Sequence, residues 1–472
     1  MRTPDAALAV SRRRWWTLAG ACAGAFVIAL GSTAVMLTLP AIRLELGASA
    51  AGVQWVPNAF LLAATALVVT AGRLAGRIGQ RPVLLAGLLV FGAGSALCAV
   101  ADSMAPLIAG RAVQGAGAAA ALGLSPGIVG ATFGDGRRVL WVWAAAAGLG
   151  LALGPLVGAA VLELWGWRAL FWLNVPAVAA AVIALALAVP PTRAETDRPA
   201  LDGAGLFTGA AGLSGVVVAL VQGSAAGWDA PATLGLLAGG VALLVAFWHV
   251  ESRAAEPLVD VRRLHTRSFV GAAAATLAAV GAYYTIAFLL PQYAQFVLGA
   301  STLNNGVLLL AITGPAVVLW GLGLMLAGRL GARAVIPAGL LCGAAGMVGV
   351  AVVDPGSGVR ALLPGLVLFG SALGLVCAPA AAVLRAVAAG PPALGRLLAG
   401  AVGLAAGGAL AQEVQVQQRA AGGSFESAFS DSLTVTAGVL AAVLVAAALI
   451  AALLVRPAPW KPSAAREALW LP

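Results

Sequence analysis

The chain holds 472 residues, of which 61% are hydrophobic and only 9% charged, with 61 Gly, 25 Pro and a formal net charge of +10. Soluble domains carry roughly 25% charged residues, so this sequence cannot cover itself in water, and its apolar runs ask for a helical protein with many membrane spans. The same counts remove several chemistries. Lys461 is the only lysine, so neither a phosphate-binding G-x-x-x-x-G-K-[ST] loop nor a Schiff-base lysine within a span can exist, and no nucleotide partner is expected. His249 and His265 are the only histidines, and Cys22, Cys98, Cys342 and Cys377 each stand alone in apolar runs. That pattern reads as buried free thiols, with no metal and no cofactor. The basic residues are scattered through short loops, which argues against nucleic acid.

Uninterrupted apolar runs predict fourteen spans. In chain order they cover 15–39, 53–71, 83–100, 106–124, 139–162, 169–189, 204–221, 232–250, 269–290, 307–327, 334–353, 361–383, 397–411 and 433–455. The first run follows Ser11-Arg12-Arg13-Arg14, which also opens twin-arginine export signals. Its length, and the spans that follow it, favour an uncleaved first helix with a positive flank. Only one span contains a formal charge, Arg111. Short basic loops stay in the cytoplasm during insertion. With the N-terminus inside, every remaining Lys and Arg, Arg385 and Arg396 among them, falls on the cytoplasmic side except Arg43, Arg168, Arg360 and Arg419. Both termini are therefore expected in the cytoplasm.

Gly76-Arg77-Ile78-Gly79-Gln80-Arg81 recurs as Gly328-Arg329-Leu330-Gly331-Ala332-Arg333, 252 residues later. The same shift carries the first three spans onto the ninth, tenth and eleventh. The chain thus divides into a cytoplasmic tail (1–14), a six-helix half (15–190), a linker with two inserted spans (191–267), a second six-helix half (268–455) and a second tail (456–472). Two parallel halves around a central cavity form a transporter architecture, in which the halves rock about a site near the bilayer midplane.

Four stretches carry a family resemblance. Gly72-Arg73-Leu74-Ala75-Gly76-Arg77-Ile78-Gly79-Gln80-Arg81-Pro82 follows span two. Gly110-Arg111-Ala112-Val113-Gln114-Gly115 lies in span four, and Gly150 to Gly158, G-L-A-L-G-P-L-V-G, in span five. Trp167-Arg168 through Phe171, Asn174 and Pro176 leads into span six. Together with Pro40 and Gln54-Trp55, they resemble the motifs of the major facilitator superfamily, in its fourteen-span drug:proton antiporter branch. The resemblance covers essentially the whole chain. It implies an all-α membrane protein that exports hydrophobic or amphipathic compounds by proton antiport, with a small molecule, protons and lipid as its partners.

Each motif also has a physical reading. Gly150, Gly154 and Gly158 share one helix face and let a neighbouring backbone approach, while Pro155 adds a kink. An unpartnered Arg111 would cost ~2.5–3.5 kcal/mol at the centre of the bilayer, so it needs a companion such as Gln114 or a path by which it snorkels to the interface. The resemblance implies a role for Arg111 in proton transfer. Arg73, Arg77 and Arg81, four apart, would share a face if their loop were helical and would then form a cytoplasmic latch.

The chain departs from the family pattern where carboxylates are due. Gly76 stands where the loop signature has Asp, and Gly31 stands where the first helix usually has one. No Asp or Glu lies in any predicted span. Glu413 and Glu163, at span ends, are the candidate coupling carboxylates. Asn58, Gln222, Tyr283, Tyr284, Gln292, Tyr293 and Trp320 are the candidate cavity lining, apolar and aromatic enough to favour a hydrophobic compound. The rival readings are a carrier that has lost transport and serves as a membrane sensor or scaffold, and an uncoupled facilitator. An enzyme is not expected, because no segment gathers a nucleophile, a base and metal ligands. A monomer is expected.

Overall fold

A computed structural model describes residues 4–133, 137–190, 202–254, 257–387 and 392–456. Among them fourteen helices are long and apolar enough to cross a membrane. They are α1 (Pro4–Glu45), α2 (Ala50–Ile78), α3 (Gln80–Ala99), α4 (Met104–Phe133), α5 (Arg137–Trp165), α6 (Trp167–Ala188) and α7 (Gly203–Ala226). They continue with α8 (Pro231–Arg253), α9 (Arg267–Phe296), α10 (Thr302–Leu330), α11 (Ala332–Ala351), α12 (Leu363–Val387), α13 (Pro392–Ala420) and α14 (Phe425–Leu454). Helices dominate because a bilayer offers no water to unpaired N–H and C=O groups, so each segment must satisfy its own backbone.

Most helices outrun their hydropathic spans. α1 begins at Pro4, inside the stretch expected as a tail, and α13 extends past 397–411 at both ends. An apolar run stops at the first polar side chain, whereas the i→i−4 ladder continues until a cap or a glycine breaks it.

The two halves repeat each other in packing. α1 lies on α5 and α6 as α9 lies on α13 and α14, while α3–α4 and α2–α4 contacts recur as α11–α12 and α10–α12. The 252-residue shift holds at single residues. Ser49 caps α2 by accepting from Gly52 N at 3.0 Å, and Ser301 caps α10 by accepting from Asn304 N at 3.3 Å. Gly79 and Gly331, at φ 97° and 85°, turn the chain between α2–α3 and α10–α11, a backbone region that glycine enters without steric cost. The halves meet through α2 on α13, α5 on α10 and α1 on α9. The inserted α7 and α8 pack on each other, and α7 alone makes the main contact with the bundle, against α2 and α13. Leu213, Val217 and Val221 pack with Ala405 there. α8 keeps Val241, Val245 and Trp248 exposed, as a lipid-facing helix would.

Turning at Gly79 separates the three arginines expected on one face. Arg73 and Arg77 end α2, but Arg81 begins α3. Arg81 Nη2 donates to Ala186 O at the end of α6 at 2.6 Å, and Arg73 Nη2 donates to Pro257 O, beyond α8. The equivalent of Arg81 in the second half, Arg333, donates its Nε to Ala452 O of α14 at 3.1 Å. Both side chains satisfy carbonyls near helix C-termini, which have no partner within their own helix.

Candidate functional site

A cavity of about 490 Å³ lies between the halves, lined from α1, α2, α4 and α5 on one side and α9, α10, α12 and α13 on the other. It reaches from mid-bundle toward the end where α2 finishes and α13 begins. Tyr283, Tyr284 and Trp320 line it as expected, joined by Phe60, Trp141 and many Ala, Leu and Val side chains. Tyr283 and Tyr284 meet edge to face at 5.1 Å between centroids. Asn58 does not belong to this lining. It is fully buried in α2, facing protein. Gln222 is exposed on α7, and Gln292 and Tyr293 are buried in α9. Helical phase decides such placements, and a uniformly apolar helix does not announce its phase.

The opposite end is closed. Gln54 Nε2 donates to Leu404 O at 2.7 Å and to Ala405 O at 3.1 Å, joining α2 to α13. Arg43 Nη1 donates to Gln292 Oε1 at 3.4 Å and its guanidinium carbon lies 5.8 Å from the Phe296 ring centroid, joining α1 to α9.

Arg111 is buried at 3% exposure, which excludes the snorkelling alternative. Its Nε donates to Val56 O at 3.1 Å and its Nη1 to Gln114 Oε1 at 2.6 Å, with the guanidinium carbon 4.6 Å from the Phe60 centroid. Gln114 Nε2 in turn donates to Ser95 Oγ at 2.6 Å, whose hydroxyl donates to Phe91 O at 2.9 Å. The charge is thus met by a carbonyl, an amide oxygen and an aromatic face, and no carboxylate takes part in these contacts. A buried guanidinium with several acceptors and a ring is a workable compromise with low dielectric.

The α5 glycines seat α1. A Cβ at Gly150 would overlap Phe26 O, at Gly154 Thr33 Oγ1, and at Gly158 would sit 2.8 Å from Ala34 Cβ. Thr33 Oγ1 donates across this seam to Leu151 O at 3.2 Å. Its repeat partner Thr285 donates to Gly403 O of α13 at 2.9 Å, where Gly407 leaves room for it. Pro155 lies inside α5, whose helix continues through it.

Two groups escaped the sequence reading. Arg396, assigned to a cytoplasmic loop, is a helical residue of α13 and lines the cavity. Glu45 closes α1, accepts from Trp167 Nε1 at 2.7 Å and pairs with Arg168, whose Nη2 donates to Ala101 O at 2.9 Å. The Trp-Arg pair leading into α6 therefore clamps the ends of α1 and α3. Glu413 accepts from Trp228 Nε1 at 3.2 Å and from Gln417 Nε2 at 2.7 Å, and Glu163 is exposed near the end of α5. Neither lines the cavity. Gly31 faces Asn174 of α6, 3.7 Å from where its Cβ would stand.

Residues 21–411 match the Major Facilitator Superfamily. The chain is 32% identical over 365 residues to the tetracenomycin C resistance and export protein of Streptomyces glaucescens, covering 76% of this chain and 68% of that one. It is 33% identical over 373 residues to the cephamycin export protein CmcT of Amycolatopsis lactamdurans, covering 76% of each. Among solved structures, the POT family transporter PepTSo superposes with a TM-score of 0.67 at 16% identity, over 94% of this chain and 97% of that one, a likeness of fold alone. With its two six-helix halves, two inserted helices and fourteen spans, the chain belongs to the major facilitator superfamily of membrane transporters, as a multi-pass protein of the plasma membrane.

Proposed function

We propose that this chain exports hydrophobic or amphipathic drug-like compounds or secondary metabolites from the cytoplasm in exchange for protons, both termini lying inside. The observation that carries the reading is the apolar, aromatic cavity of about 490 Å³ between the halves, open in chain position toward the arginine-rich loops and shut at the other end. Its size falls in the range of small-molecule sites, and its lining offers contact area with few hydrogen bonds, which suits a hydrophobic solute over a sugar or phosphate. The functions named for the relatives, resistance to and export of tetracenomycin C and export of cephamycin, agree with it. Basic loops set the orientation.

Proton exchange requires a group that changes charge. Glu413, inside the α13 helix and tied to Trp228, is the carboxylate we assign to it, with Glu163 as the second candidate. Everted membrane vesicles test the whole reading. Uptake of fluorescent amphiphiles is followed with the pH gradient imposed, collapsed and reversed. Uptake that follows the gradient supports exchange, and uptake indifferent to it leaves a facilitator. Uptake no greater than in vesicles lacking the protein favours the sensor.

A further inference from the structure

The charge of the cavity narrows what it accepts. Arg396 is the one charged side chain among the described residues that line it, and no Asp or Glu is among them. The guanidinium carbon of Arg396 lies 5.9 Å from the centroid of Trp320, and Tyr284 stands within electrostatic reach of both Arg396 and Arg111. Arg111 itself sits behind Phe60, whose ring borders the cavity, so a second positive charge contributes to the same field. Guanidinium groups keep their charge at any physiological pH, and their forked donors match a carboxylate in two parallel bonds. In an apolar enclosure such a field is weakly screened, so it attracts an anionic group and repels a cationic one. The aromatic wall beside Arg396 supplies the other half of an amphipathic site.

Resting on the efflux reading above, we infer that the cavity selects amphipathic monoanions, aromatic compounds bearing one carboxylate, which docks on Arg396 while the rings lie against Trp320 and Tyr284. Lipophilic cations are disfavoured by the same charge.

Isothermal titration of the full chain in lipid nanodiscs, with empty discs subtracted, tests this with three probes of one skeleton: 1-naphthylacetate, 1-naphthaleneethanol and 1-naphthylmethyl-trimethylammonium. The carboxylate is expected to bind about tenfold or more tightly than the alcohol, and the ammonium more weakly than either. Arg396→Gln should bring the carboxylate down to the affinity of the alcohol, while Arg396→Lys preserves the order of the three. Equal binding of all three, tightest binding of the ammonium, or a carboxylate preference that survives Arg396→Gln would overturn the charge selectivity and leave the efflux reading intact. Failure of all three to bind would remove the cavity as a site for hydrophobic solutes, and the efflux reading with it.

Discussion

Gln54 and Leu404 hold the two halves together at the end away from the cavity, through a 2.7 Å bond from the side-chain amide to a backbone carbonyl. Gln54 is almost completely buried and uses the same nitrogen toward Ala405 O, so α2 grips one turn of α13. Rocking carriers must break such a contact to open outward. Each bond contributes about 0.5–1.5 kcal/mol, so Gln54→Ala should raise the outward-open population several-fold. Labelling by an impermeant maleimide of a cysteine placed at Gln412, in a cysteine-free background, should quicken accordingly. An unchanged rate would mean that Gln54 does not hold the closure.

The helix seams of the two halves predict a loss of stability that trimming the facing threonine only partly rescues. A Cβ at Gly154 overlaps Thr33 Oγ1 and also stands 2.7 Å from Leu30 O, whereas at Gly407 the three nearest atoms all belong to the Thr285 side chain. Overpacking of this kind costs about 1–3 kcal/mol. Gly154→Ala and Gly407→Ala should each lower thermal stability in detergent. Adding Thr285→Ala at Gly407, or Thr33→Ala at Gly154, should restore only part of each loss, because the Thr285 Cβ at 2.8 Å and the Leu30 carbonyl oxygen at 2.7 Å both remain.

Arg111 depends on Gln114 for its shortest bond. Gln114→Leu removes that acceptor and strands a buried guanidinium donor at about 1–3 kcal/mol, and export should fall with stability. Gln114→Glu keeps an acceptor beside the charge, so it should be the better tolerated of the two in the same melting assay. Arg111→Lys should behave like a loss, since one ammonium cannot reach Val56 O and Gln114 Oε1 and also cover the Phe60 ring.

The places where sequence and structure agree and differ have physical causes. Membrane insertion selects long apolar runs, so all fourteen helices and the repeat could be read from hydropathy and from the Gly76 and Gly328 loops. Gln114 could be expected beside Arg111 because residues three apart in a helix are neighbours. Arg396 lies outside the hydropathic span because a charged side chain ends an apolar run, here at 397, whereas the helix itself starts at Pro392 and brings Arg396 into its first turns. Arg81 was misplaced because the i, i+4 spacing assumed one helix and Gly79 interrupts it. Asn58 shows the remaining limit. Which face of a helix meets the cavity is set by contacts between helices distant in sequence, and an apolar pattern leaves that rotation open.

Coupling is the sharpest remaining test. Glu413 lies within α13 and holds Trp228 of the inserted α7–α8 connection, while Glu163 is exposed at the end of α5. A carboxylate that carries a proton must lose its charge at one step, and Gln imitates the protonated form in size and hydrogen bonding. Glu413→Gln should therefore abolish concentration of substrate against its gradient in vesicles, yet leave downhill exchange within about twofold, because a fixed neutral group removes the coupling step but keeps the cavity. Glu163→Gln should leave both rates unchanged. Gradient-driven uptake that persists in Glu413→Gln and fails in Glu163→Gln would reverse the assignment. Persistence in both variants and in the double variant would mean that neither carboxylate carries the proton.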